Sequence, residues 1–245
     1  LNSYLRPTAA IAADVLLPAD PGLAMELAQR LTAKPLMANH HHGLWGYSGR
    51  TEDGRALTVQ ATGIGGPSTA AIVAELAGHG ARRLIRIGTC AALDPALDAG
   101  EAIVARSALG ADGTTAAIGA ALTRPDPELT DRLADGPRRV DIVSYDLGGR
   151  AGQVIKEAWV AAGIAAADLE TAALFAMAAR LGLAAAAALV VTETADGDAV
   201  DEAVGNAALL KLGDAANQSC SRPTVGRQTD RLVPGPPPSP VLRRG

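Results

Sequence analysis

Aromatic residues are scarce in this chain: one Phe, two Trp and three Tyr among 245 residues. A core of stacked rings is therefore excluded. The 48% of hydrophobic residues must pack as Ala, Val, Leu and Ile, side chains that suit close helix–sheet contact. Cysteine is nearly absent, and Cys90 and Cys220 alone make no disulfide framework. The longest apolar run, around Leu183–Val191, falls well short of the ~20 residues a membrane-spanning helix needs. The opening Leu1–Pro7 has no apolar h-region, so no signal peptide is expected there. A net charge of −4 gives no general support for a nucleic-acid partner. There is no Gly-x-Ser-x-Gly nucleophile elbow, and no Lys-Ser or Lys-Thr pair closing a phosphate-cradling P-loop. These absences lead to the expectation of a soluble, cytoplasmic protein acting on neither membrane nor nucleic acid.

What is present is an alternation. Strand-like runs fall at Asp14–Leu17, Ala56–Ala61, Leu84–Ile87, Ala102–Ala105, Val140–Val143 and Ala187–Thr192. Helical patterns at Pro21–Leu31, Pro67–His79, Ala151–Ala162 and Leu169–Leu181 lie between several of them, and residues 199–219 read as a final helix. Strands alternating with helices imply one α/β domain, 1–220, with a largely parallel, twisted sheet covered on both faces. From Ser221 onward the composition shifts to Pro and Arg, which predicts a flexible tail over 221–245.

Three segments carry the chemistry. Thr62-Gly63-Ile64-Gly65-Gly66-Pro67-Ser68 follows a strand and opens a helix, so its glycines permit close backbone approach and the helix N-terminus favours an anion or a hydroxyl. A tight turn with no ligand accounts for the same residues. In Arg86-Ile87-Gly88-Thr89-Cys90 a guanidinium interrupts an apolar run, where an unpaired charge is costly. It serves either as a fork to phosphate oxygens, with Thr89 adding donors, or as the partner of a core carboxylate. In Asp168-Leu169-Glu170 the Glu170 carboxylate suits the two hydroxyls of a ribose, while Asp168 is accounted for by the helix dipole. His40, His41 and His42 are contiguous and do not converge three imidazoles on one ion, so no metal site is expected. Cys90 reads as a small buried filler.

These segments, with Asp14–Gly22 and Gly43–Gly49, resemble in order and spacing those of the nucleoside phosphorylase family, of the purine nucleoside and uridine phosphorylase type, over residues 4–217. The resemblance implies a single α/β domain with a central twisted mixed sheet flanked by helices, assembled as dimers within a hexamer. It implies phosphorolysis of a nucleoside, with phosphate as co-substrate and no other cofactor. Position by position, Arg86 and Thr89 resemble the phosphate ligands and Glu170 the ribose acceptor, with Leu169 beside it. Ile64, followed by Gly65, stands where the family has a sugar-contacting methionine. Glu193, in Thr192-Glu193, stands for the carboxyl group that assists the departing base. His42 and Tyr4 occupy positions that the family lends across a subunit interface.

The same comparison shows departures. Ala19 and Leu23 replace a glycine and an arginine of the first phosphate loop, His42 replaces a second arginine, Tyr4 a histidine, and Gly148-Gly149 a base-stacking aromatic pair. A charge-assisted hydrogen bond contributes about 1.5–3 kcal/mol, so two lost arginines weaken phosphate binding by roughly two to four orders of magnitude. The expected activity is cleavage or formation of an N-ribosyl bond in a nucleoside-like molecule, by phosphate or by water. The alternatives are a repurposed family member of specialised metabolism with another ligand, and a non-catalytic nucleoside-binding or assembly subunit.

Overall fold

Residue alternation along the strands sorts the core into two faces. In a computed structural model, which describes residues 3–133, 136–147 and 153–221, the first strand β1 (Asp14–Leu17) sends Val15 and Leu17 to one face and Leu16 to the other. The same parity holds in β5 (Arg83–Ala92) and β10 (Ala184–Glu193). Helices α2 (Gly65–Gly78) and α6 (Thr171–Leu181) cover the Val15 face, and α1 (Pro21–Leu31), α4 (Pro127–Leu133) and α7 (Glu202–Ser221) cover the other. Parity puts Arg86 on the same face as Leu84, beneath α2 and α6.

The remaining elements are β2 (Ala33–Asn39), β3 (Gly46–Arg50), β4 (Ala56–Gln60), β6 (Ala102–Ala111), α3 (Gly113–Ile118), β7 (Leu122–Thr123), β8 (Arg138–Tyr145), α5 (Gln153–Ala161) and β9 (Ala166–Asp168). The sheet is mixed, as the resemblance implied, rather than largely parallel as the alternation suggested. Antiparallel pairs β2–β3 and β3–β4 form a meander that carries no strong apolar alternation, and β2 is an edge strand that tolerates Pro35. Strand β10 pairs in parallel with β5 and antiparallel with β6, while β6 pairs with β8, β8 with β9 and β9 with β5. Five strands thus close into a small barrel, and β1, β4, β3 and β2 extend from β5 as an open wing.

Where wing and barrel part, a gap opens. Arg86 is the last β5 residue paired with β1, and Ala91 the first paired with β9. Between them that edge of β5 has no strand neighbour among the described residues, which is where an α/β sheet leaves a crevice for ligands.

Expected boundaries shift at two places that matter. The helix expected from Leu169 starts at Thr171, so Leu169 and Glu170 lie in the turn before it, with Glu170 at the N-cap. The last helix starts at Glu202 rather than 199. Gly182, left-handed at φ 67°, stops α6, and β10 runs from Ala184 despite its alanines because both sheet neighbours claim it. The pair Gly148–Gly149, the first two residues of the helix expected from Ala151 and residues 222–245 of the expected tail lie outside the described residues. Among the described residues no helix is long and apolar enough to cross a membrane.

Two glycines test the packing in opposite directions. A Cβ on Gly213 of α7 falls 2.2 Å from Leu27 Cδ2, in the α1–α7 contact, so Gly213→Val is expected to destabilise the fold by about 1–3 kcal/mol. Gly78, at the end of α2 with negative φ and nothing within 4 Å, is expected to gain about 0.4–1 kcal/mol as Gly78→Ala. Urea unfolding of the two variants measures both signs.

Candidate active site

Arg86 is 3% exposed, and two carboxylates hold it. Its Nε donates to Asp168 Oδ2 at 3.2 Å and its Nη2 to Glu170 Oε2 at 2.5 Å. The reading as the partner of core carboxylates therefore holds, and the guanidinium also lines a large cleft. Gly88, on the same strand face, makes room for it, since a Cβ there would lie 2.8 Å from the guanidinium carbon.

The two carboxylates exceed the one guanidinium in charge, and neutral donors offset the difference. Asp168 accepts from Ser144 Oγ at 2.5 Å, Thr171 Oγ1 at 2.5 Å and the Thr171 N–H at 3.1 Å. Ser144 Oγ in turn accepts from the Ala172 N–H at 2.9 Å. Glu170 Oε1 accepts from the N–H of Gly65, the first residue of α2, at 2.9 Å. Gly65 has φ +84°, which glycine adopts freely. The cluster therefore ties β5, β8, α2 and α6 together. Asp168, read from the sequence as a helix-dipole residue, is a full member of it. The Asp168–Glu170 spacing of two, after a strand, was the signal available.

The cleft above this cluster has a volume of about 1190 Å³. Its floor is the stretch of β5 with one bare edge, Ile87–Cys90, and its walls are the first turns of α1 and α7, the Ala167–Glu170 turn, Thr192 and Tyr145. Thr89 is exposed on the floor, Leu169 lines the wall, and Ile64, 77% exposed at the N-cap of α2, stands at the rim. Cys90 is buried and burial pushes its thiol far above the usual range, so it offers no thiolate.

The remaining candidates lie elsewhere. Glu193 ends β10 next to Thr192, exposed and outside the cleft lining, yet near enough for its charge to raise the Tyr145 phenol. Tyr4 and His42 sit together, ring centroids 5.7 Å apart, and neither lines the cleft. His42 adopts a left-handed φ of 57° in a 3₁₀ turn over His41–Gly43.

The charge of the cleft runs opposite to a plain phosphate site. Among the described residues lining it, Arg86 is the one guanidinium, against Asp20, Glu26, Asp168, Glu170, Asp201 and Glu202. Asp20 caps α1 through the Leu23 N–H at 2.6 Å, Asp201 caps α7 through the Ala203 N–H at 3.0 Å, and Glu26 accepts from Asn206 at 2.9 Å. These anions oppose the positive ends of both helices. Leu23 lines the cleft with one side and packs into the α1–α7 core with the other.

Sequence comparisons agree with this architecture. Residues 14–221 match the model of the phosphorylase superfamily. A purine nucleoside phosphorylase of the DeoD type from Geobacillus kaustophilus is 30% identical over 204 residues, covering 76% of this chain and 83% of that protein. A uridine phosphorylase from Salmonella typhimurium is 32% identical over 209 residues, covering 73% of this chain and 80% of that protein. With its closed barrel, the Arg86–Glu170 cluster beneath the cleft and these matches over most of its length, the chain belongs to the phosphorylase superfamily.

Proposed function

We propose that the chain cleaves, reversibly, the N-ribosyl bond of a nucleoside, with phosphate as the acceptor. The observation that carries this reading is the Gly65–Glu170–Arg86–Asp168 cluster under an open cleft. Each Glu170 oxygen already accepts one donor and keeps a lone pair, so the carboxylate is aimed to accept the 2′- and 3′-hydroxyls. Arg86 keeps Nη1 without a partner in the described residues, beside the Thr89 hydroxyl and the bare edge of β5. A phosphate oxygen held there attacks C1′. The C1′–N bond breaks with its electron pair leaving on the base, the attacking hydrogen phosphate gives up its proton as the new C–O bond forms, and Glu193 relays a proton to the departing base. The products are the free base and a pentose 1-phosphate. The relatives named purine nucleoside and uridine phosphorylase support the same chemistry.

A second reading, with water as acceptor, is favoured by the charge of the cleft. One guanidinium among six carboxylates binds a phosphate dianion weakly, whereas water carries no such penalty. Base release from purine and pyrimidine nucleosides, with and without phosphate, separates the two. Phosphate-dependent release is the expected result, and Leu23→Arg is expected to lower the phosphate KM at least tenfold. Release independent of phosphate favours water. No release from any nucleoside sinks both readings.

The position of the guanidinium is tested at its neighbour. Gly88→Ala forces it off its two carboxylates, and kcat/KM is expected to fall by a hundredfold or more, corresponding to about 2.7 kcal/mol. An unchanged rate would show that Arg86 need not stand there.

The active unit we propose is a homo-oligomer, a dimer or a hexamer built of dimers. Tyr4 and His42 lie together but outside their own cleft, as they would if they served a neighbour's. Mixing His42→Ala with Glu170→Ala, each inactive alone, is expected to restore about a quarter of the activity in a dimer that exchanges subunits. No recovery after verified exchange argues against shared sites.

A further inference from the structure

Of the six aromatic residues in the chain, Tyr145 is the one that lines the cleft among the described residues. Its ring is braced rather than loose. It packs on Trp159 with centroids 5.3 Å apart and planes tilted by 57°. Trp159 is itself buried with Leu93, Val143, Ile164 and Ala167. The backbone at Tyr145 ends β8, paired with Ala111 of β6. The preceding Ser144 donates to Asp168, so the ring stands at a set position relative to Arg86 and Glu170.

Its phenol is equally constrained. Burial and the Glu193 carboxylate both push it above the ordinary tyrosine range, so at neutral pH it is an uncharged hydroxyl able to donate. A planar base held over the sugar cluster needs a flat surface, which the aliphatic walls of this cleft do not provide, and a donor for its edge. Aromatic stacking is tolerant of base identity, whereas a hydroxyl discriminates between bases by what their edges present.

We infer that Tyr145, backed by Trp159, is the specificity-determining wall of the base subsite: its ring stacks on the nucleobase and its hydroxyl donates to an acceptor on the base edge beside Glu193. This assignment rests on the N-ribosyl reading above. Tyr145 is here a residue that touches substrate, and Trp159 a positioning residue behind it.

Tyr145→Phe and Tyr145→Leu, made in a Trp45→Phe background that leaves Trp159 as the chain's one tryptophan, separate ring from hydroxyl. Nucleoside affinity is read by titration of Trp159 fluorescence and checked by calorimetry. The Leu variant is expected to bind nucleosides about tenfold more weakly. The Phe variant is expected to stay within about twofold but to lose the preference for bases that present an acceptor. Trp159 emission is expected to change on nucleoside binding in the background protein. Three results overturn the assignment: unchanged affinity in the Leu variant, equal losses in the Phe and Leu variants, or a loss that accompanies a lowered melting temperature. A background protein that binds no nucleoside overturns the N-ribosyl reading itself, and the assignment with it. That result is distinct from normal nucleoside binding with a silent Tyr145→Leu.

Discussion

A single buried guanidinium organises this molecule. Arg86 lies in the middle of β5, where its charge would be prohibitive alone, and it is held by Asp168 and Glu170 from the turn before α6. Removing one partner of such a buried pair costs about 3–5 kcal/mol, because the other charge is left without compensation. The requirement spreads outward. Glu170 needs the Gly65 N–H, Asp168 needs Ser144 and Thr171, and Gly88 must lack a Cβ. Residues far apart in the chain are thereby committed to one arrangement.

The scaffold meets that requirement through its strand order. β5 serves both the open wing and the closed barrel, and the divergence between the two bares its edge from Ile87 to Cys90. The floor of the cleft is thus backbone with no strand partner on that side, backed by a rigid barrel. The scarcity of large rings suits this design. The run of alanines Ala184–Ala188, followed by Leu189, Val190 and Val191, lets β10 pack closely between β5 and β6 while α6 and α7 cover its two faces. Close packing of small side chains is also why Gly213 lies against Leu27.

Charge distinguishes the two halves of the cleft. Around Arg86 each carboxylate oxygen of Glu170 accepts one donor and Asp168 accepts several. On the α1 and α7 side the carboxylates cap helices and stand without ion pairs among the described residues, offsetting the dipoles that would otherwise attract an anion. Leu23 adds apolar surface at the same wall. The half of the cleft around Arg86 is therefore held more rigidly by hydrogen bonds than the half at α1 and α7.

Local pattern was sufficient for much of this. β1 and α1 stand at their expected bounds because the short apolar run Val15–Leu17, the Leu23–Leu27–Leu31 spacing, the Asp20 cap and Pro21 at the first helical position all act within a few residues. The segments holding Arg86, Thr89, Ile64 and Glu170 were recognisable, since a charge in an apolar run or a glycine turn before a helix is visible in sequence, and the cleft brings them together. Other features depend on partners distant in the chain. The double pairing of β10 and the role of Asp168 arise from contacts between segments tens of residues apart, and the braced ring of Tyr145 from a contact with the following helix. Sequence periodicity reports which side of a strand is buried. Which strand lies beside it, and which side chains meet across the gap, is settled by long-range packing and by the need to pair every buried charge.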